Sequence, residues 1–141
     1  MEPIGWTNKG FNNGTVSTPV YEGIYKVEDV NGLVNGNTLL ITVPSDVVEF
    51  APTDYMIKVT AFNGATMAPN VSIGSNTLNY DNIVAYPSIY SLSGTSPISS
   101  GKVKDGCVTV SGGESIYVKI SSAPSAIELK YSIYLKGIIT K

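Results

Sequence analysis

The sequence predicts an all-β protein, an antiparallel β-sandwich of jelly-roll-like type with about eight to ten short strands. First, Val, Ile and Thr supply 41 of the 141 residues, and β-branched side chains favour strands. Second, apolar runs are separated by Gly, Asn, Ser and Pro, the pattern of strands joined by turns. Third, the Cys, Trp, Cys spacing of immunoglobulin domains is absent, which favours the jelly roll.

The chain divides into an irregular arm and one domain. Residues 1–15 contain three Gly and three Asn and show no strand or helix period, with Trp6 and Phe11 as aromatic groups. Residues 16–141 are the length of a single β-sandwich domain. The start of the chain lacks the pattern of a signal peptide, and no apolar run has the length of a membrane span. These features predict synthesis in the cytoplasm, or a chain whose signal has been removed, and no membrane partner.

The strands follow from alternation. In the run of residues 55–62, Ile57, Val59 and Ala61 share one face, and Asn63-Gly64 after it predicts a type I′ turn. Residues 71–73 and 77–80 are predicted to form a hairpin across a turn at 74–76.

The last strand has the longest alternation. Its predicted inward row is Ile127, Leu129, Tyr131, Ile133 and Leu135, and its outward row is Glu128, Lys130, Ser132, Tyr134 and Lys136. We expect it to pair with residues 115–120 across a loop. Weaker strands are predicted at residues 21–30, 38–43, 47–50, 83–86, 88–92 and 103–110, with Pro44, Pro52, Pro87 and Pro97 between them.

Composition excludes several classes of function. The net charge is −2 with no Arg, so no positive field attracts nucleic acid. Residues 1–50 carry two Lys against six acidic residues, whereas residues 101–141 carry six Lys against three, which suits complementary surfaces on neighbouring copies as well as chance. The single cysteine, Cys107, cannot form an intrachain disulfide and is predicted to pack as a small apolar residue.

No catalytic constellation is visible, and we expect no enzyme activity and no cofactor. The chain has no His to activate a nucleophile or bind zinc. Residues 29–32 and a cluster of Asn76, Asn79, Asp81 and Asn82 could supply oxygen ligands to calcium, but turns use the same residues. The Gly-rich residues 111–115 are predicted to be a hairpin turn. The carboxylates available for glycoside hydrolysis are expected to be solvated: Glu22, Glu28, Asp29, Glu114 and Glu128.

Tyrosine is the unusual residue type, with nine copies. Tyr117 and Tyr134 fall on the polar rows of their strands. Outward tyrosines can stack on sugar rings, form a protein interface, or stabilise a sheet through cross-strand pairs. All three interpretations stay open at this stage.

In organisation the chain resembles the small all-β virion proteins of tailed bacteriophages, such as capsid decoration (auxiliary head) proteins and head-fibre or tail-fibre domains. The resemblance is one of type. It rests on the Asn/Gly lead-in, the Ser/Thr/Gly-rich turns, and the long closing strand Tyr131-Ser132-Ile133-Tyr134-Leu135-Lys136-Gly137-Ile138. It implies a virion location and a homo-oligomer, often a trimer, attached to a capsid or tail. Under this hypothesis Trp6 and Phe11 anchor the arm on a neighbouring subunit, and Tyr117 and Tyr134 are interface candidates.

Two alternatives remain. A carbohydrate-binding module or lectin-like domain would use Tyr117, Tyr134 or Trp6 as a stacking platform, beside a structural calcium in some cases, and would be extracellular. An adhesin or pilin-like subunit would lack a strand, which the arm of a neighbour completes.

Overall fold

The computed structural model describes residues 20–65, 67–77, 79–85, 87, 98–103 and 108–141. These residues form nine strands and no helix, which confirms the predicted fold class. No helix in these ranges could span a membrane. The strands are β1 (Val20–Asn31), β2 (Gly36–Thr42), β3 (Glu49–Asn63), β4 (Asn70–Gly74), β5 (Val84–Ala85), β6 (Ile98–Lys102), β7 (Val110–Ser111), β8 (Ser115–Ser121) and β9 (Glu128–Thr140).

The strands lie in two antiparallel sheets. Sheet A has the order β1-β9-β3-β6, with β7 also paired to β3, and sheet B has the order β2-β8-β4-β5. The pairing is nested: first with ninth, second with eighth, third with sixth and seventh, fourth with fifth. Such nesting is what results when one long antiparallel ribbon is wound around a core, and it is the jelly-roll order.

The core lies between the two sheets. Alternate residues of β8 and β9 point into it, including Ile116, Val118, Ile133 and Leu135, all with no exposed surface. Burial of this apolar surface is the main stabilising contribution, at roughly 25 cal/mol per Å². The outer faces of both sheets carry the alternate, more polar residues.

Strand β3 differs from its prediction. Residues 47–50 and 55–62 were expected to be separate strands around Pro52, yet β3 runs through it for 15 residues. A register shift between Pro52 and Asp54 inserts one extra residue, so that Phe50 and Ile57 both face the core although their positions differ by an odd number. The proline lies at this irregularity, where a missing N–H does least harm.

The face predicted for Ala61 is wrong, because a second register shift, between Val59 and Ala61, moves Ala61 away from the face of Ile57 and Val59. After it Ala61 pairs with Lys130 on the outer face, and Phe62 pairs with the buried Leu129. The predicted type I′ turn is also wrong, because Asn63 remains in β3 opposite Glu128 and Gly64 alone of the pair has a positive φ, 79°.

The hairpin predicted across residues 74–76 does not form. Within residues 77–80 the described positions 77, 79 and 80 lie in a turn and bend, and β4 pairs instead with β5 at residues 84–85. The side chain of Asn76 explains this difference: its Oδ1 accepts hydrogen bonds from the backbone N–H of Asp81 (2.9 Å) and Asn82 (3.4 Å). Polar side chains of this kind compete with the strand ladder for backbone groups.

Three further predictions for the C-terminal part are wrong. β8 and β9 do not pair, because they lie in different sheets and residues 122–127 cross between them. The turn at residues 111–115 likewise joins two sheets and closes no hairpin, although Glu114 N–H does donate to Ser111 C=O. Ile127, placed in the inward row, is 79% exposed because it precedes the strand.

Some predictions concern residues outside the described ranges. Trp6, Phe11, Cys107 and the strand at residues 88–92 are among them, so the division into an arm at 1–15 and a domain at 16–141 remains a prediction.

Candidate protein interface

The outer face of sheet A carries apolar side chains at its centre. Ile24 of β1 lies opposite Lys136 of β9, and Tyr134 of β9 lies opposite Met56 of β3. Strand alternation places them outside because their neighbours Tyr25, Ile133 and Ile57 pack on the core. A shallow depression of about 190 Å³ opens here, lined by Ile24, Asp54, Tyr55, Met56, Tyr134 and Lys136.

Charged pairs surround this apolar centre. Lys102 Nζ lies 3.0 Å from Asp54 Oδ2 on one side, and Lys136 Nζ lies 3.9 Å from Glu22 Oε2 on the other. The hydrogen bond from Lys102, followed by one from Thr53, lowers the pKa of Asp54 below its usual value. These pairs are solvent-exposed, so each contributes little to stability. An apolar centre with a charged rim is typical of a protein interface.

Strand β1 adds an open edge to this face. It pairs with β9 on one side, and no described strand pairs with its other side. Val20, Tyr21 and Ile24 are 60%, 51% and 63% exposed. A long edge strand with exposed apolar side chains is a template for pairing with another chain. A bulge interrupts the strand after Val27, where Asp29 has a φ of 58°.

The outer face of sheet B is partly covered by its own chain. Residues 75–77 and 79–82 fold back over β4, so that Ser72 is fully buried and its Oγ donates to the Asn79 C=O at 3.4 Å. The ring of Tyr80 packs edge-on against Tyr117, with centroids 5.2 Å apart. Leu39, opposite Tyr117 on β2, remains 46% exposed.

The two tyrosines singled out by the sequence therefore lie on opposite outer faces, Tyr134 on sheet A and Tyr117 on sheet B. They cannot form one platform together. Tyr117 has an intramolecular aromatic partner, as in the sheet-stabilising interpretation, whereas Tyr134 borders the open depression. Trp6 and Phe11 lie outside the described residues.

The carboxylates considered for catalysis are dispersed and exposed. Glu22 and Glu28 pair with lysines, and Glu114 accepts a hydrogen bond from the backbone N–H of Ser111 at 2.8 Å. Asp29 lies in the bulge and Glu128 begins β9. Across the described ranges, no three His, Cys, Asp or Glu side chains come together as a metal site.

The oxygen-rich cluster of Asn76, Asn79, Asp81 and Asn82 acts as a turn. Its hydrogen bonds are local: Asn76 Nδ2 donates to Asp81 Oδ1 at 3.0 Å, and Asn82 Oδ1 accepts from the N–H of the adjoining Ser75 at 2.9 Å. These contacts use side-chain oxygens that a calcium ion would need, and they are the interactions expected of Asn and Asp in turns.

The sequence interpretation missed Ile24 and Met56. A signal for Ile24 was present, because it is the one apolar residue in the row Glu22, Ile24, Lys26 and Glu28. A signal for Met56 was also present, because no register shift separates it from Ile57, and alternation with the inward Ile57 places Met56 on the outer face.

Comparison with solved structures places this fold among known ones. The fold is shared with chains of two bacteriophage capsids. A chain of the cyanophage Pam1 capsid asymmetric unit matches with a TM-score of 0.52 and 9% identity, over 95% of this chain and 93% of that chain. A chain of the acidic stable capsid structure of Helicobacter pylori bacteriophage KHP30 matches with a TM-score of 0.51 and 12% identity, over 89% and 90%.

No protein-family model matches the sequence, and no curated protein is significantly similar to it. At such low identities the two capsid chains establish a common fold. The resemblance to phage virion proteins is thus confirmed at the level of fold type.

Proposed function

We propose that this protein is a non-enzymatic structural component of a bacteriophage virion that acts through protein–protein contacts. The observation that carries the proposal is the fold shared with two capsid chains over about nine-tenths or more of each chain. The match spans nearly all of both chains, so the sandwich as a whole is shared and not one part of it.

Within that role, the proposal is a capsid decoration (auxiliary head) protein, with a fibre-associated subunit as its variant. A decoration protein must contact a shell and its own neighbours. The outer face of sheet A, with Ile24, Met56 and Tyr134 inside a rim of charges, supports such contacts. The proposed location is the virion, after synthesis in the host cytoplasm, and the proposed assembly is a homo-oligomer such as a trimer.

The experiment is mass spectrometry of density-purified particles produced from the genome that encodes this chain. Trypsin should release residues 120–130 as one peptide, because they follow Lys119 and end at Lys130. Recovery of that peptide in a fixed ratio to the major shell protein is the expected result. Its absence from intact particles and presence in the soluble lysate would overturn the proposal.

Decoration and fibre roles are then separated by electron cryomicroscopy of the same particles. Density for the sandwich distributed over the capsid surface supports decoration, and density confined to appendages supports the fibre variant.

Glycan binding is the competing function, and the structure gives it less support. Tyr117 is covered by Tyr80, and Tyr134 lies on the other side of the sandwich, so the two tyrosines do not form one sugar-binding platform. Reproducible binding on a glycan array that is lost in Tyr134→Ala would favour that function instead.

A further inference from the structure

We infer that β1 pairs with the β1 strand of a second copy of this chain, antiparallel and about a two-fold axis at Ile24. The inference extends the proposed assembly role by naming one contact and its register. It concerns the isolated chain, so it stands or fails independently of incorporation into a virion.

The first step is the direction of the backbone groups. Gly32 N–H donates to Leu129 C=O at 2.8 Å on the β1 side of β9, and Val48 N–H donates to Thr140 C=O at 2.7 Å on the β3 side. The backbone N–H and C=O groups of neighbouring residues in a strand point to opposite sides of that strand. No extra residue is inserted within β9, so the backbone groups of its odd-numbered residues all point to β1.

The consequence for β1 follows from its register. Tyr21, Gly23, Tyr25 and Val27 lie opposite odd-numbered residues of β9 and are bonded to them. Glu22, Ile24 and Lys26 lie opposite even-numbered residues, so their N–H and C=O groups point to the open edge. An axis at Ile24 therefore creates hydrogen-bonded pairs between the two copies at every one of these positions.

The second step is complementarity of the side chains. With the axis at Ile24, Glu22 of each copy lies opposite Lys26 of the other, and the two Ile24 side chains meet at the centre. Both ion pairs form on the outer face, where the charges are exposed, and Ile24 loses much of its 63% exposure. Opposite charges and apolar pairs directly across a ladder are stabilising. On the inner face, Tyr25 of one copy faces Gly23 of the other, a pairing in which an aromatic ring shields a glycine.

Other registers are poorer. Moving the axis to Glu22 or to Lys26 places identical charges opposite each other. With the axis at Gly23, Ile24 of one copy lies opposite Glu22 of the other. With the axis at Tyr25, Ile24 lies opposite Lys26 of the other copy. In both registers a charged side chain faces an apolar one. Of these registers, only the one with its axis at Ile24 both pairs opposite charges and brings the two Ile24 side chains together. We therefore infer that a second copy of this chain is the partner of the β1 edge.

The test is sedimentation velocity of the full 141-residue chain over a wide concentration range, with charge-reversal variants. The wild-type chain is expected to show a reversible dimer. Glu22→Lys and Lys26→Glu each place like charges at two symmetry-related positions, and each is expected to raise the dimer Kd about tenfold or more. The double variant E22K/K26E restores opposite charges across the axis and is expected to recover the wild-type Kd.

Two control variants make comparable substitutions away from the β1 edge, so that effects on folding can be separated from effects on dimerisation. Lys102→Glu breaks an exposed pair with Asp54 on the far edge of the same sheet, as E22K breaks the pair with Lys136. Ile24→Lys, expected to abolish the dimer, is matched by Ile127→Lys at another exposed isoleucine. Circular dichroism checks that every variant folds.

A wild-type chain that stays monomeric throughout, or an oligomer indifferent to E22K, K26E and I24K, would overturn the inference. So would a double variant that fails to recover, because recovery is specific to this register.

Discussion

Tyr131 shows how one residue balances packing against polarity. Its side chain has no exposed surface, and its hydroxyl has no hydrogen-bond partner within the described residues. Burial raises the pKa of this phenol from 10.0 to about 12, since the ionised form would lose its hydration. The sequence predicted the inward direction of Tyr131 from alternation alone, but not the unpaired hydroxyl, which depends on what lies across the core.

Tyr131→Phe is expected to leave the free energy of unfolding unchanged or to raise it by about 1 kcal/mol, because it removes a buried group that forms no bond. Urea denaturation at neutral pH measures this. Tyr131→Leu, which also alters the shape of the side chain, serves as the control and is expected to destabilise. A loss above about 1 kcal/mol in Tyr131→Phe would mean that the hydroxyl has a partner.

The same residue makes stability depend on alkaline pH. The folded pKa lies above the unfolded value, so the contribution is complete below pH 10 and is lost as the pH rises from 10 towards 12. The total loss is about 2 to 3 kcal/mol. Unfolding midpoints measured from pH 8 to 11 should fall in the wild type and fall less in Tyr131→Phe. Parallel curves for the two proteins would contradict the assignment.

Gly74 allows the described loop residues 75–77 and 79–82 to cover part of sheet B. A Cβ at this position would lie 2.6 Å from the backbone nitrogen of Asp81, closer than real contacts allow. Gly74→Ala is therefore expected to displace the loop and lower the free energy of unfolding by about 1 to 3 kcal/mol. Gly101→Ala is the control, because its nearest contact would be an ordinary 3.5 Å to the Tyr55 hydroxyl. Equal stability of the two variants in urea would contradict the packing argument.

At the scale of elements, sequence patterns located most strands but not their partners. Period-two alternation identified β8 and β9 because each buries one face. It failed within β3, where two bulges reverse the alternation. It also failed for the pairing of β8, because neighbouring strands in the chain were taken as neighbours in space, and here they belong to different sheets.

The predicted arm yields an element-scale test. Deleting residues 1–12 is expected to abolish incorporation into particles while the sandwich stays folded, because Trp6 and Phe11 are proposed to anchor on a neighbouring subunit. Incorporation is measured by co-sedimentation with particles and folding by circular dichroism. Trp6→Phe, which keeps an aromatic ring, is the control and should retain incorporation. Wild-type incorporation of the deleted chain would exclude an anchoring role.

At the scale of the whole molecule, β-branched composition and short apolar runs were sufficient for the sandwich, because every sheet must bury one face. The strand order could not be predicted from the sequence. It depends on contacts such as Val20 with Thr140, which join opposite ends of the described chain and have no local signature.

The nested order also governs folding. Sheet A cannot close until β9 has been added between β1 and β3, so most stabilising contacts join distant parts of the chain. We expect one cooperative unfolding transition, and refolding in milliseconds to seconds, as for all-β sandwiches. Stopped-flow tyrosine fluorescence and circular dichroism should report the same rate. Microsecond refolding, or separate transitions by the two probes, would contradict this expectation.

The bulge at Asp29 has a consequence for growth of the assembly. Beyond Val27 the edge of β1 changes register and twists, so its straight pairing segment is short and ends at a defined position. A two-fold contact on that segment occupies the same edge in both copies and leaves none of it free to recruit a third. Bulges are one means by which natural sheets keep an exposed edge from stacking without limit. At this edge the kink therefore favours a closed two-fold contact over an open-ended fibre, and it leaves contacts through other surfaces unaffected.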